Sequence, residues 1–426
     1  LLPAIGGSLA LLTTYRLARY LTNKNVALIA MFLLAVSHTH MHFSRTAAVT
    51  YIQGTWLIPL ELYFFISAVE KRSSWRAALS GIILAIHMSI YISAVMVVGI
   101  LIAYLLVAFF WLKKNIRPAW RQIVVFWTGF LIVLIPEGSY ILRHTDQFMS
   151  RFNAEGTFSS GWLANEIVIT GKSGVTILFD RVAHAFLSLI YYPAFEFYGS
   201  YIPIISMVTA VLFIMGLAYI LIRARSLKML LLNGYFWGTT AAVGLFAIPP
   251  SADSYRMLVA LPAAIIIAAI GLDQILTRLG IGMKTRPFHY ATITSVIMVN
   301  LLIFNIWAYF FDFIGQCRYG GDVQTRFASY VGNYAQKIRR ETNIYLLSNE
   351  IYRIGTHDSV FFLAGNRPIT NVDEPMDDFE PVSGEIIIAN PDRIDELRAW
   401  SRTHPGGELQ YIFDCQKEIM LIYKVP

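Results

Sequence analysis

Charged side chains are scarce in this sequence. Only 14% of the 426 residues are Asp, Glu, Lys or Arg, whereas 56% are hydrophobic and the mean hydropathy is +0.55. A soluble domain carries about 25% charged residues. A chain with so few charges cannot cover itself with polar surface, which excludes an ordinary soluble fold and predicts that most of the protein faces lipid.

Cysteine is also scarce, and the sequence does not begin with methionine. Cys317 and Cys415 are the only two cysteines, and they form no motif and match no metal-ligand spacing. The sequence begins with Leu1 inside an apolar run, with no signal-peptide pattern. We therefore expect that the natural N-terminus lies upstream of Leu1.

Long apolar segments are the main feature that the sequence does contain. A helix that crosses about 30 Å of hydrocarbon needs about 20 mostly apolar residues. The sequence predicts about ten such helices, with the run from Trp75 to Leu112 divided by a tight turn near His87 to Ser93. The predicted spans are 3–21, 26–43, 48–69, 77–90, 92–112, 119–140, 201–222, 229–248, 255–276 and 289–312.

The distribution of basic residues distinguishes the two sides of the membrane. Thirteen Lys and Arg residues lie in one set of short connections, and only Arg45 and Arg256 lie in the alternate set. The positive-inside rule assigns the first set to the cytoplasm. The net charge of +7 is thus a topology signal that requires no nucleic acid. The outer side then holds both exceptional arginines, a long loop at 137–200 and everything after position 312.

The last hundred residues have a different pattern. Strand-like and helix-like segments alternate after Phe313, from "VQTRFASYVGNYAQKIRRE", with Phe327, Val331, Tyr334 and Ile338 on one helical face, to a closing hairpin-like pair "LQYIFD" and "EIMLIYKV". This pattern predicts a transmembrane domain at 1–312 followed by a small extracytoplasmic α/β domain at 313–426. Whether Cys317 and Cys415 pair depends on the compartment and stays open.

The stretch "SHTHMHFSR" places polar groups at the outer end of an apolar helix. His38 and His42 are four residues apart and share a helical face, while His40 points elsewhere. They are either a metal pair or proton relay, or interfacial histidines that are hydrogen-bonded locally; the second interpretation is favoured because no Asp or Glu completes a metal set nearby. Arg45 would point to water or to an anion.

Other polar residues are candidates for the same outer cavity. Tyr51 and Gln53 follow at helical distance and either line the cavity or snorkel. In "PPSADSYRMLVALPA", Arg256 either binds a phosphate through its planar fork of donors or pairs with Asp253 to cap the helix. Phosphate binding is favoured because an arginine on the outer side departs from the positive-inside pattern, and a bound anion would account for it. Tyr255 and Asp253 are included among the cavity-lining residues.

Five of the charged residues in the long loop are further candidates. Each is a candidate substrate contact, and the simpler interpretation is that each is a solvated loop charge. They are Glu137, Glu166, Lys172, Arg181 and Glu196.

The N-terminal pattern resembles that of the GT-C membrane glycosyltransferases. The features that match are "LPAIGGSLALLTTYRLAR", the helix end "AVSHTHMHFSR", the following "YIQG" and the late arginine before "LPA". The most similar branch contains the protein O-mannosyltransferases and the aminoarabinose transferase of lipid A. The tail is similar to the small outer domain of some bacterial members.

This resemblance implies an inverting transferase that moves a hexose or pentose from a polyprenyl-phosphate carrier to a protein, lipid or glycan acceptor on the outer side of the plasma membrane. In the family, a carboxylate in the first outer loop acts as the base. That loop would precede Leu1, so we expect this chain to be inactive alone. Gln53 and Gly54 stand where many relatives have an acidic residue. Arg256 and Arg45 are expected to hold the donor phosphate, with His42 beside them.

A transporter or flippase for a lipid-linked or anionic substrate is the alternative. Transporters often have repeated halves and broken helices near the midplane. The two halves of this sequence show no convincing repeat, and its polar groups gather at one surface. A non-catalytic scaffold is a third option. No cofactor is predicted with certainty, and a divalent metal stays open.

Overall fold

A computed structural model gives the architecture of the chain. Contacts between Cα atoms divide it into two compact units, Leu1–Arg318 and Tyr319–Pro426. The structure describes residues 1–46, 49–112, 116, 119–195, 198–249, 255–315 and 323–426.

The first unit is helical, as its apolar runs predict. Its longest helices are separated by short turns. A 3-10 helix at Tyr255–Val259 lies before the last two of its α-helices, and a π-helix at Trp307–Phe313 follows the last one. The α-helices are α1 (Leu2–Leu21), α2 (Lys24–Val36), α3 (His38–Arg45), α4 (Val49–Lys71), α5 (Ser74–Ile90), α6 (Ser93–Trp111), α7 (Trp120–Arg143), α8 (Thr145–Glu155), α9 (Trp162–Thr170), α10 (Gly174–Ile190), α11 (Met207–Ile222), α12 (Leu227–Phe246), α13 (Leu261–Arg278) and α14 (Pro287–Ile306).

All ten predicted spans contain helix, and the turn predicted between α5 and α6 is confirmed at Tyr91 and Ile92. Within the described residues, six helices are long and apolar enough to cross a membrane, or eight if each of two bent pairs counts as one span. The helices α5 and α11 are apolar but shorter. A polytopic helical architecture is therefore established, and the count of ten spans stays a prediction.

The helical run predicted at 26–43 is interrupted at Ser37. The axes of α2 and α3 differ by 59° across this residue. Ser37 has an extended backbone, and its hydroxyl accepts a hydrogen bond from the amide of His40, so that it caps α3. The side-chain oxygen of Asn305 on α14 accepts from the amide of His38. A cap and a neighbouring helix thus stabilise the break.

The connection 137–200, predicted as a loop, is largely helical in the structure. It contains α8, α9 and α10, and the last two form a bent pair at 104°. Arg181 on α10 corrects the expectation of a solvated charge or substrate contact, because its side chain is buried. Its guanidinium donates to the main-chain oxygens of Gly244, at 3.0 Å, and Ala247 at the end of α12. Since the last carbonyls of a helix lack helical partners, Arg181 caps α12.

Two glycines bring α11 and α13 into backbone contact. A Cβ atom added to Gly216 would overlap the carbonyl oxygen of Ile267, and one added to Gly271 would overlap that of Leu212. Small residues allow such close approach between apolar helices, where van der Waals packing replaces the hydrophobic effect. The contact positions α13, which directly follows the 3-10 helix that carries Arg256.

The second unit is a five-stranded mixed sheet with helices on both faces. The strand order is β2-β1-β3-β5-β4; β1 is parallel to β2 and β3, and β5 is antiparallel to β3 and β4. Its elements are α15 (Val323–Lys337), β1 (Ile344–Leu347), α16 (Ser359–Ala364), β2 (Thr370–Val372), β3 (Ile386–Ala389), α17 (Ile394–Thr403), β4 (Glu408–Asp414) and β5 (Lys417–Lys424).

The predicted α/β character of the tail is confirmed. Phe327 and Val331 of α15 are buried against one face of the sheet, and Leu397 and Trp400 of α17 are buried against the other. The closing hairpin is formed by β4 and β5. The sequence reasoning missed β2, whose three residues are too few and too polar to stand out. Cys317, whose pairing with Cys415 the sequence left open, lies outside the described residues.

Replacing Arg367 with methionine is expected to loosen the end of α15. The buried Arg367 guanidinium donates to the main-chain oxygens of Ala335, Ile338, Arg339 and Thr342. A hydrogen bond to a charged group contributes about 1.5–3 kcal/mol. We expect amide exchange in the last turn of α15 to accelerate about tenfold to a hundredfold, measured by hydrogen–deuterium exchange of the intact chain.

The matched control is Arg340→Met, because Arg340 is an exposed arginine just past the same helix. Its exchange pattern should equal that of the unmodified chain. Unchanged exchange in Arg367→Met would contradict the capping role.

Candidate functional site

Both histidines predicted to share a face contact one tyrosine. His38 is buried, its Nε2 donates to the main-chain oxygen of Pro203 at 3.0 Å, and its Nδ1 accepts from the hydroxyl of Tyr198 at 2.8 Å. His42 stacks on the ring of Tyr198 with centroids 4.1 Å apart. We refer to this packed group as the histidine cluster; it consists of His38, His42, Tyr198, Tyr309 and Phe313.

This geometry favours the packing interpretation of the histidines over a metal pair. Both ring nitrogens of His38 have hydrogen-bond partners, so the ring can bind a metal only by losing one. His40 faces α1, where its Cε1 lies 3.6 Å from the position of a Cβ added to Gly7, so its predicted separation from His38 and His42 is confirmed. In the described part of the chain, no three His, Cys, Asp or Glu side chains come together in a metal-binding arrangement.

Arg45 lies at the end of α3 beside the histidine cluster. Its guanidinium carbon is 5.6 Å from the ring centroids of both Tyr309 and Phe310, and the side chain is exposed. Cation–π contacts at exposed sites contribute about 0.5–1 kcal/mol. The rings therefore orient Arg45 without removing it from solvent.

Arg256 is held by a different set of rings. Its Nε donates to the hydroxyl of Tyr255 at 2.9 Å; Tyr255 packs on Tyr51 at 4.4 Å between centroids, and Tyr51 meets Tyr91 edge-on at 6.0 Å. We call Tyr51, Tyr91 and Tyr255 the tyrosine cluster. Tyr255 is buried, whereas Arg256 is partly exposed. The cluster thus gives the guanidinium a supported position at the start of α13.

The predicted site residues therefore form two groups, one around Arg45 and one around Arg256. Gln53 is buried, and its amide oxygen accepts from the indole N–H of Trp56 at 2.6 Å, so this side chain packs along α4. Asp253 and Glu196 lie outside the described residues. Of the loop charges, Lys172 forms an exposed ion pair with Asp180 at 2.8 Å.

A groove in the helical unit differs in its lining from these polar groups. It has a volume of about 750 Å³ and lies between α6 and α7, where Phe109, Trp120 and Trp127 contribute to a mostly apolar lining. None of its lining residues is charged, so it offers no cation to a phosphate. The polar groups, and not this groove, define the candidate site.

The sequence reasoning missed a buried polar group behind the tyrosine cluster. Glu61, His87 and Ser93 are no more than 1% exposed and lie on three consecutive helices. Isolated ionisable residues inside apolar spans, "LELYFF" and "AIHMSI", were the available signal. Tyr198 gave no such signal, because it lies in an irregular segment between α10 and α11.

Comparison with known protein families gives a match for the first third of the chain. A model of the dolichyl-phosphate-mannose-protein mannosyltransferase family matches residues 1–139. Among curated proteins, none matches the chain significantly.

Solved structures match along nearly the whole chain. ArnT from Cupriavidus metallidurans in the apo state has a TM-score of 0.55 at 13% identity, over 99% of this chain and 82% of that one. The chain has a GT-C fold. ArnT bound to undecaprenyl phosphate matches with a TM-score of 0.54 at 13% identity, over 99% and 83%. The archaeal oligosaccharyltransferase AglB from Archaeoglobus fulgidus matches at 0.49 and 14% identity, over 96% and 61%, too distantly to support an argument.

The GT-C fold confirms the predicted architecture, a helical membrane protein with a small C-terminal sheet. At 13% identity the likeness concerns the fold, so the roles of individual residues depend on the geometry of this chain.

Proposed function

We propose that this protein is an inverting membrane glycosyltransferase that takes a sugar from a polyprenyl-phosphate carrier and transfers it to an acceptor on the outer side of the plasma membrane. The GT-C fold and the family match over 1–139 support the reaction class. One of the matching solved structures is ArnT bound to undecaprenyl phosphate, which supports this type of donor. Residues 1–312 would form the membrane domain, and 313–426 would lie outside the cytoplasm.

Arg256 is the observation that carries the proposal. It is one of only two basic residues in the short connections opposite the thirteen cytoplasmic ones. It is partly exposed, lies directly before α13 and is supported by the buried Tyr255. A guanidinium presents a planar fork of donors that matches phosphate oxygens. This arrangement suits an anionic headgroup at the membrane surface.

The chemistry explains why donors are needed there. As the glycosidic bond breaks, the carrier leaves as a lipid phosphate, and negative charge remains on its oxygens. Preorganised donors at that position lower the barrier because they need no reorganisation during the reaction. Arg256 would bind the phosphate, and Arg45, oriented by Tyr309 and Phe310, would be a second cation on the same side.

Lipid binding tests the proposal directly. The intact chain in nanodiscs is titrated with undecaprenyl phosphate and, as a matched control, with undecaprenol, which has the same tail without the phosphate. One charge-assisted hydrogen bond contributes about 1.5–3 kcal/mol. We therefore expect the phosphate lipid to bind at least about tenfold more tightly, measured by native mass spectrometry.

Equal affinity for the two lipids would contradict a phosphate-binding role. Movement of the labelled carrier across vesicle bilayers with its sugar still attached would support the transporter instead.

A further inference from the structure

A chain of buried polar side chains links α4, α5 and α6. Nδ1 of His87 lies 3.4 Å from Oε1 of Glu61, and Nε2 of His87 lies 2.9 Å from the hydroxyl of Ser93. Ser80 on α5 adds a second link, since its hydroxyl donates to the main-chain oxygen of Glu61 at 2.8 Å. With the ring proton on Nδ1, facing the carboxylate, Nε2 accepts from Ser93.

These groups are placed where burial is costly. Glu61 and His87 have no exposed side-chain surface, and an unpaired carboxyl in such surroundings costs several kcal/mol. Polar contacts between membrane helices are worth only about 0.6 kcal/mol on average. Stabilisation of helix packing alone is therefore a weak explanation for these buried groups. Their location suggests a different role.

These buried polar groups end beside Gly54 of α4, and Gly54 lies next to the 3-10 helix that carries Arg256. Ser93 is the first residue of α6, and Gly54 of α4 lies beside it. A Cβ added to Gly54 would lie 3.1 Å from the Ser93 hydroxyl oxygen and 3.1 Å from Cγ1 of Val259, the last residue of the 3-10 helix. At Gly54, then, α4 touches both the polar chain and the 3-10 helix.

A second contact leads to the same helix. Tyr91 precedes Ser93 by two residues, so the hydrogen bond from Ser93 to His87 also restrains the turn that holds Tyr91. Tyr91 meets Tyr51, which packs on Tyr255, the hydrogen-bond partner of Arg256. Two routes thus connect the buried groups to the guanidinium.

We infer that Glu61, His87 and Ser93 are positioning residues that hold the 3-10 helix, and with it Arg256, in the geometry that binds a phosphate headgroup. They touch no substrate themselves. The inference rests on the proposed function, because it assigns these residues a role through Arg256. It extends that function by adding three residues from the interior of the helical unit.

A double-mutant cycle tests the coupling. Ser93→Ala removes only the hydroxyl and should weaken undecaprenyl phosphate binding about fivefold in the otherwise unmodified chain. In the Arg256→Ala background the same change should have less than about twofold effect, because the group being positioned is absent. An equal loss in both backgrounds would overturn the inference.

Ser67→Ala is the matched control for this cycle. Ser67 is a fully buried serine of α4 whose hydroxyl donates to Phe64 of its own helix, and its replacement should change affinity less than about twofold. Glu61→Gln keeps an oxygen that can accept from His87 and should retain binding, whereas Glu61→Leu should lose about as much as Ser93→Ala. Identical affinities for the two Glu61 variants would also contradict positioning.

A readout without lipid keeps this inference separate from the proposed function. Hydrogen–deuterium exchange of amides 255–259 should accelerate in Ser93→Ala and not in Ser67→Ala. If Arg256→Ala leaves lipid binding unchanged, the proposed function fails regardless of the exchange result. If exchange at 255–259 is the same in both serine variants, the positioning role fails even when Arg256 binds the phosphate.

Discussion

Arg256→Ala is expected to weaken binding of undecaprenyl phosphate by about tenfold to a hundredfold while the amount of folded protein stays the same. The loss corresponds to one charge-assisted hydrogen bond of about 1.5–3 kcal/mol. Folding should tolerate the change because Arg256 is partly exposed and Tyr255, the buried residue of the pair, remains. Titration in nanodiscs measures the affinity, and size-exclusion chromatography measures the folded fraction.

Two further variants distinguish three possible sources of affinity: the planar donor group of the guanidinium, the positive charge at position 256 and the overall charge of the protein. Arg256→Lys keeps the charge but replaces a planar fork with a point charge, so it should recover only part of the affinity. Arg278→Ala removes an exposed arginine from the opposite end of α13 and should leave binding unchanged. An equal loss in Arg278→Ala would mean that overall charge, and not a site at Arg256, attracts the lipid.

The sequence identified Arg256 through an exception to a charge pattern, which is information that a single chain contains. It could not identify the support for Arg256. Tyr51, Tyr91 and Tyr255 come from the start of α4, the turn after α5 and the 3-10 helix. Contacts so distant along the chain depend on helix packing, which no periodicity reveals.

The histidines illustrate the same limit. Helical spacing predicted that His38 and His42 share a face, and both contact Tyr198. The spacing said nothing of Tyr198 itself, which lies in an irregular segment, nor of Asn305, whose side chain accepts at the break after α2. A local pattern thus predicted the face but not its partner, and only the partner distinguishes packing from metal binding.

Arg181 shows how a charge pattern can mislead. A lone arginine in a predicted loop was expected to be solvated or to touch a substrate, because loops lie on the surface. In the structure this segment is the helix α10, which packs on α12 and brings the guanidinium to unsatisfied carbonyls. Apolar residues within 174–190 were the signal that this segment packs as a helix.

Gly271→Val is expected to cause the largest loss of stability, lowering the apparent melting temperature by about 10 °C or preventing recovery of folded protein. The new side chain would overlap the carbonyl oxygen of Leu212, and main-chain atoms cannot move aside as a flexible side chain can. Overpacking costs about 1–3 kcal/mol or more, and each kcal/mol lowers the melting temperature by about 2–4 °C in a domain of moderate size. Thermal unfolding followed by fluorescence-detected size exclusion measures the change.

Gly99→Val separates this clash from the general effect of valine in a helix. Gly99 lies in the apolar helix α6, and no atom lies within 4 Å of a Cβ added to it. The melting temperature of the Gly99→Val protein should therefore stay within about 2 °C of that of the unmodified protein. Since α13 begins directly after the 3-10 helix, surviving Gly271→Val protein should also bind undecaprenyl phosphate more weakly. Equal stability of the two variants would mean that α11 and α13 do not approach through Gly216 and Gly271, and that the position of Arg256 depends on α4 and the tyrosine cluster alone.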